Sequence, residues 1–207
     1  MSFSAVGSLR EDMKPGDFVL VDQYVDKTKR GPEQTFFGNG VVAHVSMAHP
    51  ACEQSLKQFY DFSETYLKNR GLEIHQKATY LNMEGPAFST KAESALHRQW
   101  GMDVVGMTNY AEAKLCREAE LSYLTVAMVT DFDCWHPDHD AVTVETVIGQ
   151  LMKNADHARD LLAEVIPQWN FVDGSCQTAL QNGLLTPLEA MSNEIKERLT
   201  PLLKRFL

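Results

Sequence analysis

The sequence predicts an α/β fold, a mixed and mainly parallel sheet flanked by helices in three layers. Strand-like and helix-like segments alternate from Asp17 to Val165, and such alternation calls for right-handed crossovers between neighbouring strands. An apolar run also ends abruptly in two carboxylates, Asp131 and Asp133, within VAMVTDFDCWHPDH (126–139). Acid groups at the carboxyl end of a strand stand where open α/β sheets hold their ligands. The 207 residues suffice for one sizeable domain, and the chain reads as one, 1–207.

The elements follow in order. Asp17 to Val25 (DFVLVDQYV) is β-like and is entered through the Pro15-Gly16 turn. Residues 27–40 form a polar, Gly-containing loop. Glu53 to Arg70 carries Leu56, Phe59, Tyr60, Tyr66 and Leu67 at helical spacing, and Gly71 is a natural stop. Glu73 to Leu81 alternates as a strand does. Thr90 and Glu93 have capping-box spacing and open a helix that runs to Trp100, before Gly101. Asp103 to Met107 is a short strand, and Asn109 is placed to cap a helix ending near Glu120. Ser122 to Thr130 is the next strand. Thr143 to Val165 is a long amphipathic helix with an apolar stripe of Val144, Val147, Ile148, Leu151, Met152 and Leu162. Residues 167–182 are an irregular connection. A terminal helix fills the last segment, 183–207, starting at Pro187, with Pro201 expected to kink or restart it. The sequence shows no internal repeat and no low-complexity segment.

Composition narrows the partners. A formal net charge of −9 argues against nucleic acid or an anionic membrane as the main partner. An anion can still bind, but only through a local site. Cys52, Cys116, Cys134 and Cys176 are spread out with no CxxC pair, as expected of free thiols in a reducing compartment. No apolar run reaches the roughly 20 residues that cross a bilayer. Met1 to Arg10 lacks the basic and apolar regions of a secretory signal. The expectation is a cytoplasmic protein.

Three strand ends could share one pocket: Asp131 and Asp133, the stretch NMEGPAFSTKAE (82–93), and Gly106-Met107-Thr108-Asn109. On the residues alone, bland readings compete with functional ones. Both aspartates could be capping or loop carboxylates, Met107 and Phe88 could be core, and Ser89 could cap a helix. Residues 131–140 (DFDCWHPDHD) also hold Cys134, His136 and His139, which raises the question of a metal. Pro137 between the histidines and the lack of a second ligand cluster speak against one, so no metal site is expected. None of Cys52, Cys116 and Cys134 has a His or Asn partner that would mark a thiol nucleophile.

Longer motifs break the tie. SAVGSLRE (4–11), PGDFVLVDQYVDKT (15–28), HVSMAHPAC (44–52), MEGPAFSTKAES (83–94), GMTNYAEAKLCREAEL (106–121) and VTDFDCW (129–135) stand in one order. In that order they resemble the purine nucleoside phosphorylase family with trimeric members, and within it the branch that splits 5'-methylthioadenosine. The resemblance covers about residues 4–165 and implies a phosphorylase-like domain that lacks the family's amino-terminal strands and phosphate-binding loop. It implies phosphorolysis of 5'-methylthioadenosine to adenine and 5-methylthioribose 1-phosphate. No cofactor is implied beyond inorganic phosphate as co-substrate. The implied partners are a nucleoside, phosphate and two further copies in a homotrimer.

The resemblance also assigns roles. Asp131 contacts purine N7 and Asp133 the exocyclic amine; enzymes preferring 6-oxopurines have Asn at the first position. Phe88 lies on the purine face. Ser89 replaces the Glu with which the 6-oxopurine enzymes read the base edge. Met107 underlies the ribose, with Gly106 and Thr130 beside the substrate. Thr108, Ser4 and Ala5 hold phosphate and sugar. His44 projects into the neighbouring subunit's site, and Val144, Val147 and Ile148 wall the 5'-methylthio slot. An inosine- or guanosine-type phosphorylase and a non-catalytic remnant are the alternatives.

Overall fold

The computed structural model describes residues 1–30, 34–137, 143–171 and 174–206. Its elements are β1 (Ser2–Ser8), β2 (Phe18–Asp26), α1 (Glu53–Lys68), β3 (Ile74–Asn82), α2 (Lys91–Gln99), β4 (Val104–Gly106), α3 (Asn109–Glu118), β5 (Thr125–Asp131), α4 (Val144–Val165) and α5 (Asn193–Leu203). The α/β class and the mixed sheet flanked by helices are as the sequence predicts. The sheet also closes on itself, in the order β1-β4-β3-β2-β5 and back to β1. β1 with β5, β2 with β3 and β3 with β4 run parallel, while β1 with β4 and β2 with β5 run antiparallel.

Closure explains why the strands read as nearly continuous apolar runs: both faces are covered. Alternate residues part to opposite sides. Val19 and Val21 of β2 and Ala127 and Val129 of β5 pack inside the barrel with Val6, Ala78, Tyr80 and Val104. Phe18, Leu20, Val126 and Met128 point outward against Phe59 and Leu67 of α1 and Ala158, Leu161 and Val165 of α4. A satellite core joins Leu199 and Leu203 of α5 to Phe37, Val41 and Leu180. Among the described residues no helix is long and apolar enough to cross a membrane.

Ser2–Ser8 adds a strand to those predicted, paired in parallel with the almost wholly buried β5. Three local expectations change. Asn109 does not cap α3. The cap position falls to Thr108, and the Asn109 side chain turns inward, accepting from Tyr24 and Thr125 and donating to Tyr123. On α4 the expected stripe is not the buried face: Val144, Ile148 and Met152 are exposed. Asn154, Ala158, Leu161 and Val165 are buried instead: the last three pack in the main core, with Leu151 of the stripe partly buried beside them, and the Asn154 amide donates to the Val129 carbonyl of β5 (2.8 Å). The terminal helix starts at Asn193 with Ser192 as its cap, after a 3-10 turn at Leu188–Ala190, and runs on past Pro201 to Leu203.

Candidate active site

β4 is only three residues long and meets β1 only at Gly7 and Ser8. Ser2 to Val6 therefore keep a free edge on that side, and a cavity of about 340 Å³ lies along it. The cavity is bounded by β1, the segment after β3 (Met83, Phe88, Ser89), the turn from β4 into α3 (Gly106, Met107, Thr108, Asn109) and the end of β5 (Thr130, Asp131, Asp133). Glu112 and Val147 complete its walls. The structure thus brings together Ser4, Ala5, Phe88, Ser89, Gly106, Met107, Thr108, Thr130, Asp131, Asp133 and Val147. His44 is not among them: it is exposed and borders a separate hollow with His49, Arg117 and Asn182. Val144 and Ile148, at 62% and 52% exposure, flank Val147 without lining the cavity, since only one side of α4 faces it.

The acid pair has a defined geometry. Asp131 is paired opposite Gly7 across a bulge in the β1–β5 ladder. Its Oδ1 accepts from the Asp133 N–H (2.8 Å), an Asx turn that needs the positive φ of Asp133, 51°. Its Oδ2 lies 2.6 Å from the Thr130 hydroxyl, which is also 3.1 Å from the Val6 carbonyl. That hydroxyl has one proton. If Asp131 is ionised, it takes that proton. If Asp131 is protonated, it donates to Thr130, whose own proton is then free for Val6, and both contacts are made. Burial raises the Asp131 carboxyl above the ordinary range; bonds from Thr130 and the Asp133 N–H oppose the rise and the Asp133 charge adds to it. Asp133 is itself buried, and its Oδ2 has no hydrogen-bond partner among the described residues.

Close approaches set the floor. A Cβ on Gly7 would stand 2.9 Å from Asp131 Oδ1. A Cβ on Gly106 would stand 1.9 Å from the hydroxyl of Tyr80, a fully buried ring whose OH lies 3.3 Å from Ser4 Oγ. Sequence reading missed Tyr80, Gly7 and Glu112. An ordinary strand tyrosine gives no signal of lying under a turn two elements away. Glu112 accepts from the Ser2 and Tyr123 hydroxyls, each at 2.8 Å.

The cavity wall carries three carboxylates and, among the described residues, no Lys, Arg or His and no Cys. Cys134 instead donates to the Ser89 carbonyl (3.3 Å), and His136 faces Glu11 (3.1 Å). His139 and the rest of the acidic loop fall outside the described residues. Asp17, Glu73 and His75 are spaced to hold a metal, but Asp17 already accepts from the Lys14 and Glu73 N–H groups and faces His75 at 3.0 Å.

Residues 1–167 match the profile of the phosphorylase superfamily. The whole chain aligns at 48% identity with 63% of the S-methyl-5'-thioadenosine phosphorylase of Synechocystis, and at 46% with 72% of that of Thermosynechococcus vestitus. The chain thus spans about two thirds of the length of these curated relatives. A solved methylthioadenosine phosphorylase from an Antarctic soil metagenomic library matches with a TM-score of 0.87 at 47% identity, over 98% of this chain and 70% of that one. The enzyme from Schistosoma mansoni in complex with adenine matches with a TM-score of 0.79 at 32% identity, over 88% of this chain and 71% of that one.

Proposed function

We propose, from the premise that this chain belongs to the phosphorylase superfamily, that it cleaves 5'-methylthioadenosine with inorganic phosphate to adenine and 5-methylthioribose 1-phosphate. The observation that carries this reading is the setting of Asp131: a partly buried acid at a strand end on the cavity wall, where burial outweighs the bonds from Thr130 and the Asp133 N–H that favour its ionised form. A purine leaves ribose as a costly anion unless it is protonated as the bond breaks. In the proposed step a phosphate oxygen forms the bond to C1' as the bond from C1' to N9 breaks. Asp131 passes its proton to N7, so adenine departs neutral. The Thr130 hydroxyl then turns from Val6 to the new carboxylate, a donor already in place where charge appears. Asp133, ionised, accepts from the 6-amino group. Phe88 covers the base with apolar surface, and Met107 forms a pliable floor for the sugar. Phosphate, itself the nucleophile, meets the hydroxyls of Ser4 and Thr108 and the N-terminus of α3. No further cofactor is required.

The remaining roles concern surroundings. Exposed His44 suits contact with a neighbouring copy in a trimer, where Val144 and Ile148 would also be covered. The free thiols fit the cytoplasm.

A second reading has one observation in its favour. With three carboxylates and no basic side chain on the described wall, the chain could bind adenine and fail to hold phosphate. Purified chain given methylthioadenosine and phosphate decides between them by chromatography of the products. Adenine release exceeding that of Asp131→Asn supports phosphorolysis. Calorimetric binding of adenine without phosphate binding or turnover selects the second reading, and binding of neither rejects both. Faster hypoxanthine release from inosine would transfer the site to 6-oxopurines.

A further inference from the structure

Behind Asp133 lies a second group of polar atoms that the reaction above does not use. α2 buries two residues, Ser94 and His97, and neither is apolar. His97 is 1% exposed. Its Nε2 lies 3.3 Å from Lys27 Nζ, and Lys27 in turn sits over the Trp100 ring. A lysine ammonium has only protons to offer, so Nε2 accepts and the ring proton belongs on Nδ1. That Nδ1 is buried without a hydrogen-bond partner among the described residues, and so are Asp133 Oδ2 and the Ser94 hydroxyl oxygen. The three lie on adjoining elements: α2 packs against the segment that follows Asp133, with Arg98 3.6 Å from the centre of the Trp135 ring and Lys91, Ala95 and Arg98 bordering one hollow with Cys134 and Trp135. A buried donor in want of an acceptor thus lies near a buried carboxylate oxygen in want of a donor. Native interiors pair such groups, and a site with two to four polar partners suits one ordered water.

We propose that Lys27, His97 and Ser94 form a relay that positions Asp133 for 6-aminopurines. Lys27 fixes the His97 tautomer. The Nδ1–H of His97, through one water shared with the Ser94 hydroxyl, holds Asp133 Oδ2. The carboxylate is thereby fixed, with its other oxygen turned toward the base to accept from the exocyclic amine. A 6-oxopurine offers no such donor and gains nothing from the relay. Burial and the Lys27 charge both hold the His97 imidazole below its usual pKa, which agrees with a neutral ring that donates through one nitrogen. His97 is a positioning residue here, since it acts through Asp133. The inference rests on the purine-site reading for its ligand.

The test therefore has one arm without ligand. Nitrogen-15 NMR of histidine-labelled, ligand-free protein should show His97 protonated on Nδ1, with resonances that move in Asp133→Asn. The second arm is calorimetry with adenine and hypoxanthine. His97→Phe should weaken adenine binding about ten- to a hundredfold, the range for leaving a buried charged partner unpaired, and change hypoxanthine binding less than about twofold. His97→Asn, whose amide nitrogen takes the place of Nδ1, should restore adenine binding to within about threefold of the parent. A proton on Nε2, no response to Asp133→Asn, or an equal loss for both bases would overturn the relay. If the parent binds neither base, the purine reading fails, while the tautomer and its response to Asp133→Asn still decide whether the relay exists. Should His97→Phe not fold, those measurements and His97→Asn carry the decision.

Discussion

Replacing Asp131 by Asn separates the two consequences of burying that acid. Asparagine keeps an oxygen for the Asp133 N–H, and its amide donates to the Thr130 hydroxyl, whose proton then goes to Val6. No hydrogen bond is lost, so pairing alone predicts a stability change within about 1 kcal/mol. Charge works in the variant's favour. Burial holds the folded-state pKa of Asp131 above its ordinary value of 3.8, so above that value the folded chain retains a proton that the unfolded chain has released. Stability contributed by this group therefore falls as pH rises from the unfolded pKa to the raised one and stays lower beyond it. The Asn variant lacks that fall, so its stability relative to the parent should improve with pH. Activity should move oppositely. An amide can donate a hydrogen bond to N7 but cannot surrender the proton, and general acid catalysis contributes about 10²–10⁴-fold. Urea melts at about pH 4 and about pH 8 measure the first effect, and adenine release measures the second. A variant less stable than the parent by more than about 2 kcal/mol at the higher pH would refute the pairing scheme. A variant with undiminished release would refute the acid role.

Gly7→Ala would set a methyl 2.9 Å from Asp131 Oδ1; displacing the acid should cut adenine release about tenfold or more, with a melting point only slightly lowered. An unaffected rate would show that the acid's position is not critical. Gly106→Ala forces a carbon to 1.9 Å from the Tyr80 hydroxyl, and because that ring is fully buried the cost should reach about 3 kcal/mol in a urea melt. Thr130→Val removes the donor shared by Asp131 and Val6. It should destabilise by about 1–3 kcal/mol and move the alkaline limb of the rate profile, where the general acid loses its proton, to higher pH, because the Thr130 bond favours the ionised acid; an unmoved limb would sever Thr130 from the acid.

Much of the fold was legible because its causes are local. The Thr90–Glu93 capping box forms as its spacing requires, with both reciprocal bonds present. The two-sided apolar strands β2 and β5 show themselves by composition, and the cavity's acids by the abrupt end of a run. What stayed hidden depends on partners far along the chain. β1 mixes small, polar and apolar residues, and its partners in the sheet, β4 and β5, lie about a hundred residues further along the chain. Asn109 has the side chain of a cap, yet the hydroxyls of Tyr24, Tyr123 and Thr125 draw it inward. The apolar stripe of α4 misled because the packed face is instead Ala158, Leu161 and Val165, with the Asn154 amide donating to a carbonyl of β5. Closure of the sheet depends on pairing β1 with β5, from Ser2 with Thr125 to Gly7 with Asp131, a separation that no window of periodicity contains.

The charge on the cavity wall ties these observations together. In the proposed reaction phosphate approaches a surface that already holds Asp131, Asp133 and Glu112 and no cation among the described residues. Glu112 is partly quieted by two hydroxyl donors. Asp133, in the proposed reading, accepts from the exocyclic amine, a contact that its charge strengthens. Asp131 is then the one acid whose charge can be dispensed with, and its surroundings favour dispensing with it. A proton on Asp131 removes one of the negative charges opposing phosphate, and the same proton is the one that adenine needs to leave. Ionising Asp131 early would therefore penalise both the nucleophile and the leaving group. This double demand gives a physical reason for placing that acid, rather than Asp133, between a bulge at Gly7 and the undecided hydroxyl of Thr130.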